Sequence, residues 1–214
     1  MIKIAPSILA ADFSHLADEI AKVTDAGAEY IHLDVMDGRF VPNITLGSPV
    51  VTALRKTTQA VFDVHLMVEN PESQIAAFAK AGADIITFHA ETTKHAHKLI
   101  QDIKAQGVKA GVALNPGSSL SLIEEILPDL DMVLLMTVNP GFGGQKFLPA
   151  VLDKIERLKA IIDGNDFAVD IEVDGGINAE TAKLVIAAGA NVLVAGSAVY
   201  NSANTSEAIA ALRQ

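Results

Sequence analysis

The sequence predicts a single-domain (β/α)8 barrel spanning residues 1–214, and three observations carry that expectation. Short apolar runs rich in β-branched residues alternate with longer stretches of helical period from one end of the chain to the other. The apolar runs number eight, which is the strand count of a closed parallel barrel. A tetrapeptide recurs wherever a helix should hand over to a strand, as Ala26-Gly27-Ala28-Glu29, Ala81-Gly82-Ala83-Asp84 and Ala188-Gly189-Ala190-Asn191. Its glycines suit the residue just past a helix end, and they are separated by about two and about four units of about 27 residues.

The strands are expected at residues 3–9, 30–35, 61–66, 84–89, 108–114, 131–136, 168–173 and 191–195. Helices are expected between them, among others at 15–25, 71–81, 94–106 and 149–163, several opened by Pro or Ser and closed by Gly. Strict alternation of strand and helix requires parallel strands joined by crossovers. The competing open sheet should carry a glycine-rich turn after its first strand; Ser7-Ile8-Leu9-Ala10-Ala11-Asp12 stands there with no glycine. No linker or shift of composition divides the chain.

The 214 residues are 50% hydrophobic and 20% charged, with 15 Gly, 8 Pro and no Cys, which excludes disordered, collagen-like and disulfide-scaffold classes. A net charge of −10 with no Lys/Arg cluster argues against nucleic acid as a partner. No apolar run approaches the roughly 18 residues of a membrane span, and the first ten residues lack a signal-peptide core, so the expected setting is cytoplasmic with no membrane partner.

Barrel enzymes draw their chemistry from strand C-termini and the loops that follow. Period-two alternation places His32 and Asp34 on one face of the second strand, Asp63, His65 and Met67 on one face of the third, and Glu172 and Asp174 on one face of the seventh. Closure would bring His32, Asp34, His65 and Asp174 to one rim, a two-His, two-carboxylate set suited to Zn²⁺, Fe²⁺, Mn²⁺ or Co²⁺. Any one of these histidines alone reads equally as a hydrogen-bonded barrel residue. His15, His95 and His97 are expected in solvent, and His89 at the end of strand four is a candidate for the cavity wall. Met36, Met67 and Met136 end strands two, three and six, either packing the strand ends or offering soft thioethers to a reacting intermediate.

Three glycine clusters follow the later strands: Gly141-Phe142-Gly143-Gly144, Gly175-Gly176 and Gly196-Ser197. Glycine lets backbone N–H groups converge closely on an anion, and barrels commonly hold phosphate near strands seven and eight. Such a site needs no side-chain cations, which reconciles it with the negative charge. The loop 140–146, with glycines flanking Phe142, has the composition of a mobile lid.

Several motifs together resemble the ribulose-phosphate 3-epimerase family almost end to end. They are Ala5-Pro6-Ser7-Ile8-Leu9-Ala10-Ala11-Asp12, His32-Leu33-Asp34-Val35-Met36-Asp37-Gly38, Phe40-Val41-Pro42-Asn43, His65-Leu66-Met67-Val68, Asn139-Pro140-Gly141-Phe142-Gly143-Gly144-Gln145 and Val173-Asp174-Gly175-Gly176-Ile177. The resemblance implies a homo-oligomeric isomerase of the pentose phosphate pathway and Calvin cycle, interconverting D-ribulose 5-phosphate and D-xylulose 5-phosphate with one divalent metal per subunit, Zn²⁺ foremost. It implies His32, Asp34, His65 and Asp174 as ligands and Asp34 and Asp174 as acid and base. Ser7, His65, Phe142 and Asp174 would contact substrate, and Gly141, Gly143, Gly144, Gly175, Gly176, Gly196 and Ser197 would serve its phosphate end.

Inversion beside a ketone needs a proton removed from one face of C3 and another delivered to the opposite face, which suits two carboxylates. The nearest alternative is the same chemistry on a six-carbon ketose phosphate such as D-allulose 6-phosphate. A metal-dependent barrel hydrolase would carry His-x-His on strand one, where Ser7 stands. A phosphate-binding barrel without chemistry would lack a ligand or an acid/base partner, and none is missing.

Overall fold

The computed structural model describes residues 1–214. Eight parallel strands are present: β1 (Lys3–Pro6), β2 (Tyr30–Met36), β3 (Val61–Met67), β4 (Ile85–His89), β5 (Lys109–Leu114), β6 (Met132–Met136), β7 (Asp170–Asp174) and β8 (Val192–Ala195). Around them lie α1 (Leu16–Asp25), α2 (Ser48–Arg55), α3 (Ile75–Ala81), α4 (Ala96–Ala105), α5 (Leu152–Gly164), α6 (Ala179–Ala188), the single turn α7 (Ser197–Tyr200) and α8 (Thr205–Ala211). Strand order runs β2 to β8 by successive neighbours, and β8 pairs with β1. The ring is completed between β1 and β2 by one bridge, Ser7 to His32. The chain is a (β/α)8 barrel.

The β2 sequence is buried at every residue because both of its faces are covered. Its outward Ile31, Leu33 and Val35 join a continuous cluster of 52 buried residues packed between sheet and helices. Inside the barrel the floor is apolar, built from Ala5, Tyr30, Ile85, Met132, Val192 and Val194. Above that floor the interior turns polar.

The first strand is shorter than expected. Its apolar run continues to Leu9, but the Ser7 hydroxyl accepts the Leu9 N–H and turns the chain into a 3₁₀ turn at Ile8–Ala10. In the same way Pro71 and Pro149 begin short 3₁₀ turns, and the α-helices proper start at Ile75 and Leu152. The helix expected from residue 94 starts at Ala96. The fifth unit has no α-helix: the chain descends through 3₁₀ turns at Leu120–Leu122 and Glu124–Asp129, where Pro128 removes a backbone donor.

The recurrent tetrapeptide has a structural meaning in its last residue as well as its glycine. Gly82 and Gly189 end α3 and α6 in the left-handed conformation, with φ of 101° and 116°. The polar residue two positions later then accepts the first free N–H of the neighbouring strand: Glu29 from Ile4 (2.9 Å), Asp84 from Phe62 (2.7 Å) and Asn191 from Ile171 (2.7 Å). Asp131 does the same for Ala110 at 2.9 Å. One short motif thus stops a helix and satisfies a strand that would otherwise begin with a bare amide.

Candidate active site

Strand register places the polar interior. His32 lies beside Asp63 and Asp34 beside His65 across the β2–β3 ladder, so each histidine meets a carboxylate without any loop rearrangement. Asp174 ends β7 opposite Met136 of β6 and Val194 of β8. His32, Asp34, His65 and Asp174 each offer one ligand atom within 4.8 Å of the other three.

Four donors about 2.0–2.1 Å from one tetrahedral ion stand roughly 3.3–3.4 Å from each other. His32 Nε2 is 3.4 Å from Asp34 Oδ1, His65 Nδ1 is 3.3 Å from the same oxygen, and the two ring nitrogens are 3.4 Å apart. Asp174 Oδ2 stands slightly farther out, 3.9 Å from His65 Nδ1. His32 donates from Nδ1 to Asp63 Oδ2 at 2.6 Å, which leaves its Nε2 lone pair aimed at the cluster. Facing lone pairs and carboxylates at these separations fit a divalent cation between them.

Around this cluster opens a cavity of about 740 Å³ at the C-terminal ends of the strands. Ser7, Asp34, Met36, Met67, Met136 and Asp174 form its base, and Gly141, Phe142, Gly143, Gly144, Gly175, Gly176, Gly196 and Ser197 form its wall. His32 and His65 do not line it; both are 0% exposed. His65 meets the cluster from below. His89 is also absent from the wall: it is fully buried behind His65, with their Nε2 atoms 2.9 Å apart. His15, His95 and His97 are exposed as expected.

The two aspartates have opposed environments. Burial works against charge on Asp34, but His32 and His65 outweigh it and hold its carboxyl far below the ordinary range. The Ser7 hydroxyl adds a 2.5 Å hydrogen bond to Asp34 Oδ2. Asp174 goes the other way: burial and the nearby Asp34 charge push it up to about 7, against the opposing pull of His32. Deeper in the barrel Glu172 is raised well above the carboxylate range by burial and by Asp63 beside it.

The glycine wall offers donors. The N–H groups of Gly143, Gly144, Gly176 and Ser197 make no hydrogen bond within the protein. Gly176 has φ of 67°, and a Cβ there would stand 2.5 Å from the Phe147 nitrogen, so only glycine fits this approach. Gln145 steadies the loop above by donating to Asn139 O (2.6 Å) and Phe142 O (2.9 Å). Lys146, Asn178, Thr181 and Asn201 also line the cavity and were not singled out from sequence. Gln145 and Lys146 lie inside or beside a quoted motif, but the others have no local signal; they arrive from α6 and the α7 end.

The model of the ribulose-phosphate 3 epimerase family matches residues 3–200. The chain belongs to that family. It is 58% identical over 214 residues to the ribulose-phosphate 3-epimerase of Bacillus subtilis, covering 100% of this chain and 99% of that one. It is 52% identical to that of Synechocystis sp., over 99% of this chain and 93% of the relative, and 46% identical to that of Candida glabrata, over 99% and 91%. Among solved structures, a 3-hexulose-6-phosphate synthase superposes with a TM-score of 0.71 at 23% identity, covering 100% of this chain and 98% of that one. A tryptophan synthase α-subunit from Pyrococcus furiosus gives 0.71 at 17% identity, over 100% and 98%. Those two likenesses bear on the barrel alone. As an epimerase-family member the chain is an enzyme, and none of its helices is long and apolar enough to cross a membrane.

Proposed function

We propose that this protein inverts C3 of D-ribulose 5-phosphate to give D-xylulose 5-phosphate, reversibly, using Asp34 and Asp174 as the acid/base pair. The observation that carries this reading is geometric: two carboxylates, Asp34 and Asp174, meet in one four-donor cluster at the base of a cavity walled by glycine. One carboxylate takes a proton from C3 while the other gives one on the opposite face. The product returns by the same route with the roles exchanged, so one site serves both directions.

His32, Asp34, His65 and Asp174 would hold the divalent metal, with Zn²⁺ foremost and Fe²⁺, Mn²⁺ or Co²⁺ as alternatives. When bound, such an ion supplies positive charge against the enediolate oxygens that form as C3 loses its proton. Ser7 orients Asp34 through its hydroxyl, while Met36, Met67 and Met136 keep water from the reacting carbon without offering a competing proton. The free N–H groups of the glycine wall, with Gly141, Gly175 and Gly196 alongside, would take the phosphate, and Phe142 would close over the sugar. The same reading carries the expectations of a cytoplasmic homo-oligomer working in sugar-phosphate metabolism.

The test is turnover of D-ribulose 5-phosphate by purified protein after chelation and after return of each metal, with Asp34→Asn and Asp174→Asn alongside. Activity that returns with metal and is lost in both variants supports the proposal. No turnover with any metal by folded protein overturns it. Faster turnover of D-allulose 6-phosphate would reassign the substrate, and binding of phosphate esters without turnover would leave a binding barrel.

A further inference from the structure

Behind the donor cluster lies a second line of polar groups that the proposed chemistry does not use. His65 presents Nδ1 to the cluster and Nε2 to His89, whose own Nε2 is 2.9 Å away. The two ring planes differ by 26° with centroids 5.0 Å apart, so the imidazoles meet edge to edge along a ring N–H axis. On its far side His89 presents Nδ1 to Glu91 Oε2 at 3.3 Å. Glu91 is fixed in turn by the fifth unit: it accepts the Asn115 N–H at 2.8 Å and the Ser118 hydroxyl. Lys154 of α5 holds that loop by donating to Asn115 O (3.0 Å) and Pro116 O (2.7 Å).

An N···N contact of this length holds one proton, and with both rings neutral two assignments exist. In the first, His65 donates from Nε2, His89 accepts at Nε2 and donates from Nδ1 to Glu91. In the second, His89 donates to His65, which leaves a bare His89 Nδ1 facing the Glu91 carboxylate and a proton on His65 Nδ1 pointing into the donor cluster. The carboxylate strongly disfavours the second, because both it and a bare Nδ1 are acceptors. A doubly protonated His89 donating to both neighbours would hold an imidazolium on a ring with no solvent exposure, which burial disfavours.

We propose that Glu91, acting through His89, is a positioning residue that fixes His65 in the tautomer whose Nδ1 lone pair faces the donor cluster. This rests on the metal reading of that cluster. His32 has its tautomer set directly by Asp63 on the neighbouring strand; His65 has no carboxylate behind it, and the ring of His89 carries the influence of Glu91 across the gap. Metal-holding histidines with such outer partners lose roughly 10- to 100-fold in metal affinity when the partner is removed.

Two measurements test it. In metal-free protein labelled with ¹⁵N at histidine, long-range ¹H–¹⁵N correlation should report the proton of His89 on Nδ1 and that of His65 on Nε2; the reverse pair overturns the proposal without any variant. Zn²⁺ dissociation constants, read by competition with a chelator, should rise roughly 10- to 100-fold in Glu91→Leu and His89→Phe. His89→Gln should recover most of that loss, because its amide carbonyl accepts from His65 and its NH₂ donates to Glu91. Ser118→Ala, which loosens the loop and leaves the His89–Glu91 contact, should bind as the parent does. Equal affinity across the Glu91 and His89 variants, or a loss in Ser118→Ala as large as in Glu91→Leu, overturns the assignment while the metal reading stands. Failure of the parent protein to bind one ion more tightly than Asp34→Asn overturns the metal reading itself and the proposal with it.

Discussion

Asp34 and Asp174 are the same residue type in one cluster, and what separates them is the company each keeps. Asp34 faces two imidazoles and a hydroxyl; Asp174 ends its strand at the cavity edge with 18% of its side chain open and no donor as close. Asn at either position keeps the shape and would remove the proposed proton transfer, so each variant should lose roughly 10²- to 10⁴-fold in kcat in a coupled assay of either direction. Ser7→Ala leaves the Asp34 oxygen without its donor; a charged hydrogen bond is worth about 1.5–3 kcal/mol, so kcat/KM should fall by roughly ten- to a hundredfold with the fold unchanged by circular dichroism. Glu91 gives a separate pH effect. Burial opposes its charge, but His89, Ser118 and the Asn115 amide hold its pKa at about 2, below the ordinary 4.5. A depressed carboxylate contributes stability that is complete above 4.5 and lost as pH falls toward 2, so urea midpoints of the parent should decline across that window more steeply than those of Glu91→Gln. At this scale the four cluster residues were legible because strand period two puts them on inward faces. The outer partners were not: Glu91 reaches Asn115 across 24 positions of sequence, and no local pattern marks such a pair.

The elements were legible wherever an apolar run and its closing residue agreed. Seven strands have their ends within two residues of the expected ones, and β1 departs because the hydroxyl of Ser7 bends a run that hydropathy alone would continue. The fifth unit departs from strict alternation for a related reason: Pro128 and a serine-rich approach leave 3₁₀ turns where the other units carry helices. The repeat's glycines were legible as helix stops, whereas the use of its last residue appears only when neighbouring strands are side by side. Asn191→Ala should therefore strand the Ile171 N–H and cost about 1–3 kcal/mol in chemical unfolding, although Asn191 touches no part of the cavity. Gly176→Ala is expected to be worse for function than for folding. Its methyl group meets the Phe147 backbone at φ of 67°, so the turn after β7 must shift, raising KM for the sugar phosphate together with a loss of about 1–3 kcal/mol.

For the molecule as a whole, the charge of −10 opposes the approach of the phosphate dianion that the proposed function would bring to the cavity. Salt screens that repulsion, so kcat/KM should rise between about 10 and 150 mM ionic strength at fixed pH, the opposite of an enzyme that steers its substrate with cations. A fall over that range would show that the local field of the glycine wall and Lys146 governs capture. The barrel also divides its labour along the chain. His32, Asp34 and His65 come from β2 and β3 and Ser7 from the turn just after β1, while the glycine wall comes from the segments that follow β6, β7 and β8. Asp174 is the one cluster member that the later strands contribute. On the proposed reading a bound sugar phosphate would be a staple, gripped at its reacting end by the first half of the chain together with Asp174 and at its phosphate by the second half. Neither half alone would then suffice to recognise it, and the ring would have to be whole before the molecule had anything to hold.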